Sequence, residues 1–307
     1  MKIEKIFKAG VCFAAASGLF VPHAFAKEEG EPEPVRLSPS SKWHVDFADD
    51  SCRLARFFGE GDQRTLFYIE RYEPGDAFSM VVAGEPLKRR RYRDKIVIRF
   101  GKDTSEDEIA YTIGSVGEQK PAIIFSNLRF DLKPLAEGDE SERLDQPDIF
   151  GQEIPASTEA GIESIMLQHK GRVPVILETG SLGDPMKVLR DCTDNMLQYW
   201  GIDLEKHRTI AQLPEPRTSP GRWLSYRDYP SDLLQKGYQG YVQVRLSVDA
   251  NGKPTDCHIQ QSTRPEGFDA AVCKGLMRKA RFKPAITQSG EAISSYWRTA
   301  VRFAIPS

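Results

Sequence analysis

Cysteine is the residue type in this chain whose chemistry is easiest to interpret. The sequence has five cysteines, and Cys12 lies within the apolar start of the chain. The even number that remains favours disulfide bonds in an oxidising compartment. Zinc is the alternative, but there is no CxxC pair, and His258 directly follows Cys257, so on a strand they point to opposite faces. We expect disulfides and no metal site at the other four cysteines: Cys52, Cys192, Cys257 and Cys273.

Histidines and carboxylates are the other candidates for catalysis. Asp49 with Asp50, and the acidic triplet at residues 106–108, are typical of solvated turns. The sequence contains no GxSxG, HExxH, SxxK, P-loop or dinucleotide-binding motif. We expect no enzymatic activity, no catalytic residues and no cofactor. The alternative is an unrecognised hydrolase in the β-rich region at residues 42–205. Four histidines follow residue 26 without a recognisable catalytic spacing: His44, His169, His207 and His258.

The first 26 residues have the pattern of a cleavable signal peptide. Three lysines precede an apolar run at residues 9–21, which is shorter than the ~20 residues that a membrane-spanning helix needs. Pro22 ends the run, and Ala24, Phe25 and Ala26 form a small-x-small cleavage site. We expect cleavage after Ala26, a periplasmic location and no membrane span in the mature chain. The alternative is an uncleaved N-terminal anchor.

Charge excludes one class of partner. The formal net charge is −2 at pH 7, and removal of residues 1–26 takes away three lysines and one glutamate. A weakly acidic mature protein is not suited to nucleic acid. The basic cluster at residues 88–93 is typical of a solvated hairpin turn. The alternative is a contact with anionic lipid or polysaccharide.

The middle of the chain predicts a mostly β domain closed by one helix. Residues 27–41 are rich in Pro, Glu and Ser and predict a flexible leader. Over residues 42–205, β-branched and aromatic runs alternate with turn residues, and an acidic stretch at 137–148 predicts an exposed loop. Residues 186–200 follow a helical period, with Gly201 at the C-cap position. Six runs predict strands: 66–69, 78–82, 96–100, 123–125, 162–168 and 173–177.

Two cysteines lie in elements of this domain. Cys52 falls in an early strand and Cys192 in the closing helix. A disulfide between them would join the helix to the sheet. The alternative is two free buried thiols. Residues 206–222 contain three prolines and predict a short, semi-stiff linker.

The last segment alternates most regularly. Tyr229 and Pro230 precede a brief helix that ends at Gly237, and an Asn-Gly turn at residues 249–252 separates two strands. An amphipathic helix at residues 268–280 leads into the sequence RFKPA, and a final strand spans 293–305. The first of these strands places four apolar residues on one face: Val242, Val244, Leu246 and Val248.

This order of features resembles the C-terminal domain of TonB proteins over residues 223–307. The resemblance implies a small α+β module, in which helices cover one face of a three-stranded antiparallel sheet. It also implies a partner, an outer-membrane TonB-dependent receptor or another envelope protein, which contributes a short segment called the TonB box. We expect a periplasmic, non-enzymatic binding module. The alternatives are an energy transducer with an uncleaved anchor and an envelope structural or glycan-binding protein.

In a sheet of this family the last strand lies at an edge, where an extended peptide can pair with it. Trp297, Val301 and Phe303 should then face the core. On the other face, we expect Arg298 and Arg302 to pair with an acidic residue of the peptide. The alternative is that these arginines only protect the edge strand against aggregation. Residues predicted to contact the peptide, on the exposed side of the strand, are Tyr296, Arg298, Ala300 and Arg302.

The same fold places the remaining two cysteines together. Cys257 shares the core face of its strand with Ile259, and Cys273 lies beside Val272 on the overlying helix. We expect a disulfide between Cys257 and Cys273, which would stabilise a domain with a thin core. The alternative is two buried thiols.

Overall fold

The structure is a computed structural model that describes residues 33–87, 95–102, 104–116, 120–131, 154–262 and 267–305. Residues Glu33–Ser307 group into one unit. The predicted signal peptide (1–26), basic cluster (88–93) and acidic loop (137–148) lie outside the described residues. In the described ranges, no helix is both long enough and apolar enough to cross a membrane.

The fold is mixed α+β with many strands and few helices, which confirms the predicted class. The helices of the described residues are α1 (Ala156–Gly161), α2 (Gly183–Tyr199), α3 (Leu204–His207), α4 (Ser231–Gln235) and α5 (Gly267–Lys279). The strands are β1 (Val35–Leu37), β2 (His44–Phe47), β3 (Cys52–Phe58), β4 (Thr65–Arg71), β5 (Phe78–Ala83), β6 (Lys95–Phe100), β7 (Asp107–Ala110), β8 (Thr112–Val116), β9 (Lys120–Leu128), β10 (Ile165–His169), β11 (Val175–Leu177), β12 (Ile210–Gln212), β13 (Glu215–Pro216), β14 (Gly240–Val248), β15 (Pro254–Ser262), β16 (Phe282–Lys283), β17 (Ala285–Thr287), β18 (Ala292–Ile293) and β19 (Ser295–Phe303).

Two sheets build the N-terminal region. One is antiparallel with the order β2-β3-β4-β5-β9-β8, and the other has the order β1-β11-β10-β6-β7. Their buried side chains form one shared hydrophobic core. Phe130 packs between Phe78 and Phe100, with ring centroids 4.6 and 5.1 Å away. The β-branched and aromatic runs of the sequence therefore become strands because their apolar sides meet in this core.

The predicted flexible leader differs from the structure at β1. Val35–Leu37 pairs in parallel with β11, and Leu37 is buried in the core. The three-residue run Val-Arg-Leu lies in a stretch rich in Pro, Glu and Ser, and it is too short for the sequence pattern to predict a strand. The neighbouring strand, distant in sequence, supplies its hydrogen bonds.

Helix α2 closes the N-terminal region as predicted. Its buried stripe includes Met186, Leu189 and Met196, and Gly201 ends it with φ 75°. Cys192 on this helix is joined to Cys52 on β3, with the Cα atoms 6.0 Å apart. This is the pair that the sequence predicts, and it ties the helix to the sheet.

The predicted linker is partly regular structure. After α3, strand β12 pairs with β17, and β13 pairs with β16. The sequence does not predict this pairing because proline lowers strand propensity. Short edge strands nevertheless tolerate proline. Residues 210–216 therefore lie along the C-terminal domain and do not only connect it.

The C-terminal sheet has the order β15-β14-β19, and both of its strand pairs are antiparallel. The four alternating apolar residues of β14 are all buried against α5, in a core separate from that of the N-terminal region. Cys257 on β15 is joined to Cys273 on α5, with the Cα atoms 5.6 Å apart. The structure thus contains the second predicted pair as well.

The Asn-Gly turn between β14 and β15 is held by the strand after α5. Gly252 adopts φ +78°, and a Cβ atom there would lie 1.9 Å from the carbonyl oxygen of Phe282. The Phe282 N–H donates a 2.8 Å hydrogen bond to the Gly252 carbonyl. Glycine is required here both for the left-handed backbone and for this close approach.

Candidate functional site

The candidate site is built on β19, an outer strand of the C-terminal sheet. Strand β19 pairs with β14 from Gly240 opposite Phe303 to Val248 opposite Ser295. In the part of the chain that the structure describes, no further strand pairs with its outer side. An outer strand leaves alternate N–H and C=O groups without ladder partners, so a second extended chain can pair with them.

The helix side of β19 is anchored by aromatic packing. The Trp297 ring lies 5.2 Å from both Trp223 and Phe282. Phe303 stacks on Phe268 at 4.6 Å and contacts Tyr229, the aromatic residue of the Tyr-Pro pair. Aromatic packing on the helix side therefore fixes the position of β19.

The opposite face of the sheet, called here the polar face, carries the predicted contact residues. At one end of this face the structure does not leave Tyr296 exposed. Its side chain is 3% exposed, because the Trp200 ring packs edge-on at 5.3 Å and the His207 ring stacks on it at 5.7 Å. The prediction of an exposed Tyr296 is wrong because Trp200, which directly follows α2, and His207 in α3 cover it.

Arg245 on β14 lies under the same cover. It is only 2% exposed, although the alternation of β14 places it on the expected wet face. Its guanidinium lies 4.0 Å above the Trp200 ring, and Asp50 approaches to 3.6 Å. Burial lowers the pKa of Arg245, and the Asp50 carboxylate opposes that shift. The buried guanidinium of Arg245, between an aromatic ring and a carboxylate, therefore joins the C-terminal sheet to the N-terminal region.

Arg298 has partners from both regions of the chain. Its Nε donates a 2.7 Å hydrogen bond to Oε1 of Gln260 on β15, and its guanidinium forms an ion pair with Glu73. The Tyr72 ring lies 5.4 Å from the guanidinium, and the Gln260 amide reaches the Tyr72 carbonyl at 3.3 Å. The positive charge of Arg298, which was predicted to pair with a peptide carboxylate, is therefore already paired with Glu73 of the same chain.

Ala300 and Arg302 differ from these residues. Both are exposed, as predicted, and Tyr241, the β14 neighbour of Arg302, is 38% exposed. We call Arg245, Tyr296 and Arg298 the covered half of the polar face. We call Tyr241, Ala300 and Arg302 its open half.

The sequence does not identify the residues that cover the face. Asp50, Glu73, Trp200 and His207 come from turns and helix ends that carry no motif. Burial lowers the pKa of His207 to about 4, and Asp194 partly opposes this. The signal that could have indicated them is their position in the sequence: Asp50 is close to Cys52 and Trp200 is close to Cys192. A disulfide joins these two cysteines, so it brings the two covering residues into the same part of the fold.

Catalytic or metal-binding geometry is a separate question. In the described ranges, no three His, Cys, Asp or Glu side chains group as metal ligands would.

Comparison with known families agrees with this geometry. The family model described as "Gram-negative bacterial TonB protein C-terminal" matches residues 225–305. A protein named Protein tonB2, from Pseudomonas aeruginosa, is 31% identical over 70 residues, which is 23% of this chain and 25% of that protein. The chain thus carries a TonB C-terminal domain, and it covers about a quarter of the length of this curated relative.

Proposed function

We propose that this protein is a periplasmic, non-enzymatic binding module of TonB-related transport. Its C-terminal domain binds a short extended segment of an outer-membrane receptor, or of another envelope protein, along the outer side of β19. The observation that carries the proposal is the unpaired outer side of β19, within the described residues of a domain that the TonB family model matches.

Location forms part of the proposal. Two disulfides in one chain favour an oxidising compartment. Export through a signal peptide at residues 1–26 would deliver the chain to the periplasm. Receptor segments that face the periplasm are accessible in that compartment.

A matched pair of proline variants tests the pairing. In an antiparallel strand, neighbouring residues direct their N–H groups to opposite sides, so one of Thr299 and Ala300 has its N–H directed away from β14. Proline at that position removes a donor from the outer side only, whereas proline at its neighbour breaks the β14–β19 ladder. We expect one variant to keep the wild-type unfolding midpoint while losing peptide binding by at least about tenfold.

Binding is measured by fluorescence anisotropy with peptides that tile the periplasm-facing segments of outer-membrane receptors, and scrambled peptides serve as controls. N-methylation at alternate peptide positions tests the same pairing without changing the protein. One of the two alternating sets of N-methyl peptides should lose binding, and the other should keep it. Wild-type binding by the folded proline variant, together with insensitivity to both N-methyl sets, would contradict edge pairing, as would the absence of binding to any peptide.

A further inference from the structure

The two halves of the polar face offer different surroundings to a peptide on β19. A strand added to the outer side of β19 projects alternate side chains onto this face, beside Tyr296, Arg298, Ala300 and Arg302. Cross-strand neighbours of opposite charge attract each other, and like charges repel. Selectivity therefore depends on which of the two arginines still has a charge to offer.

Arg298 has little to offer an acidic peptide side chain. Glu73 pairs with its guanidinium, and Gln260 accepts a hydrogen bond from its Nε. A peptide carboxylate beside Arg298 would come close to the like charge of Glu73. Next to it, Tyr296 is buried between Trp200 and His207 and presents no polar group to a ligand on this face.

Arg302 has the opposite environment. Its side chain is exposed, and among the described residues no carboxylate forms an ion pair with it. The small side chain of Ala300 separates it from Arg298 along the same face. Its β14 neighbour Tyr241 is partly exposed and adds an aromatic surface. A carboxylate that approaches along the outer side of β19 can reach this arginine.

We infer that the peptide is selected at residues 299–303 of β19, and that Arg302 is the residue that selects an acidic side chain in it. The inference rests on the proposed edge pairing and adds the chemical class and the position of the preferred peptide residue. Charge complementarity specifies the partner as an extended segment with one acidic residue at a fixed position.

A peptide scan on the full chain tests this. The probes are blocked strand-forming peptides of alternating Thr and Val, in which a single Glu is moved along the sequence. We expect one position to bind more tightly than the all-neutral parent, by up to about fivefold for an exposed cross-strand ion pair. Arg302→Glu should remove that preference and transfer it to the peptide with Lys at the same position.

Two further variants make the result specific. Lys170→Glu makes the same charge change at an exposed position on the turn between β10 and β11, and it should leave the scan unchanged. Glu73→Gln frees the Arg298 guanidinium, so a second acid-preferring position should appear four residues from the first, the spacing of Arg298 and Arg302.

The outcomes separate the two proposals. If the neutral parent binds but the Glu position has no effect, or if the wild-type preference maps to Arg298, the role of Arg302 is wrong while edge pairing stands. If neither the neutral nor the acidic peptides bind, edge pairing fails, and the selectivity inference fails with it. Loss of the preference in Lys170→Glu would also overturn the inference, since a general charge effect would then explain it.

Discussion

The covered and open halves of the polar face come from the same strands and use the same residue types. Arg298 and Arg302 lie on one face of β19, four residues apart. One pairs with Glu73 and Gln260, whereas the other is exposed. Strand alternation therefore decides only which face of the sheet a side chain occupies. Whether that face meets solvent depends on the rest of the chain.

Covering has a consequence for function. Trp200 and His207, which cover Tyr296, follow α2, whose Cys192 is joined to β3 by the disulfide. Asp50, which approaches Arg245, lies just before β3. The N-terminal region is thus an internal partner of the C-terminal sheet. It covers one half of the polar face and leaves the other half exposed.

Trp200→Ala should give the largest effect. Trp200 contacts both Arg245 and Tyr296, and its Nε1 donates a 2.9 Å hydrogen bond to the Asp49 carbonyl. We expect the free energy of unfolding in urea to fall by about 3 kcal/mol. Tyr199→Ala is the control, because this neighbour is 69% exposed and its loss should cost less than about 0.5 kcal/mol. Equal effects would show that Trp200 does not hold the covered half.

The second-largest expected effect is a loss of folding stability at acidic pH, caused by protonation of His207 in the covered half. The pKa of His207 is lowered to about 4 by burial, so the unfolded chain binds this proton more readily than the folded one. Stability is complete above the unfolded pKa of about 6.5 and falls as pH drops towards the folded pKa. Between pH 7 and pH 5 we expect a loss of about 2 kcal/mol from this group.

Urea unfolding across this pH range measures the effect. The variant His207→Phe keeps an aromatic ring against Tyr296 and removes the titrating group, so its stability should change less with pH. A wild-type pH dependence in His207→Phe would assign the titration to other groups.

The two arginines give the smallest and most direct contrast. Arg298→Gln leaves Glu73 without its cation and should lower the free energy of unfolding by about 1–2 kcal/mol. Arg302→Gln removes an exposed side chain and should change it by less than about 0.5 kcal/mol. The midpoints of urea unfolding of the two variants, each compared with that of the wild type, measure this difference. Equal losses would mean that the open half is also part of an internal contact.

Most of the strands and helices of the C-terminal domain could be predicted from the amino-acid sequence. Four alternating valine and leucine residues made β14 a half-buried strand, and Tyr229 with Pro230, the Asn-Gly turn and RFKPA set the family resemblance. The sequence placed Cys52 on a strand and Cys192 on the closing helix and so favoured their pairing, with two free buried thiols as the alternative. The strand and helix assignments rest on short-range periodicity, which the local sequence records.

Which half of the polar face is exposed depends on long-range packing that the sequence pattern does not show. Asp50, Glu73, Trp200 and His207 cover it, and their positions depend on how two sheets, a disulfide and α2 pack together. Composition gives no signal of this, because arginine and tyrosine have an apolar body and a polar tip and therefore suit either a wet or a covered face. A period of two along the strand is local, whereas the cover over Arg245 and Tyr296 comes from residues far away in the chain.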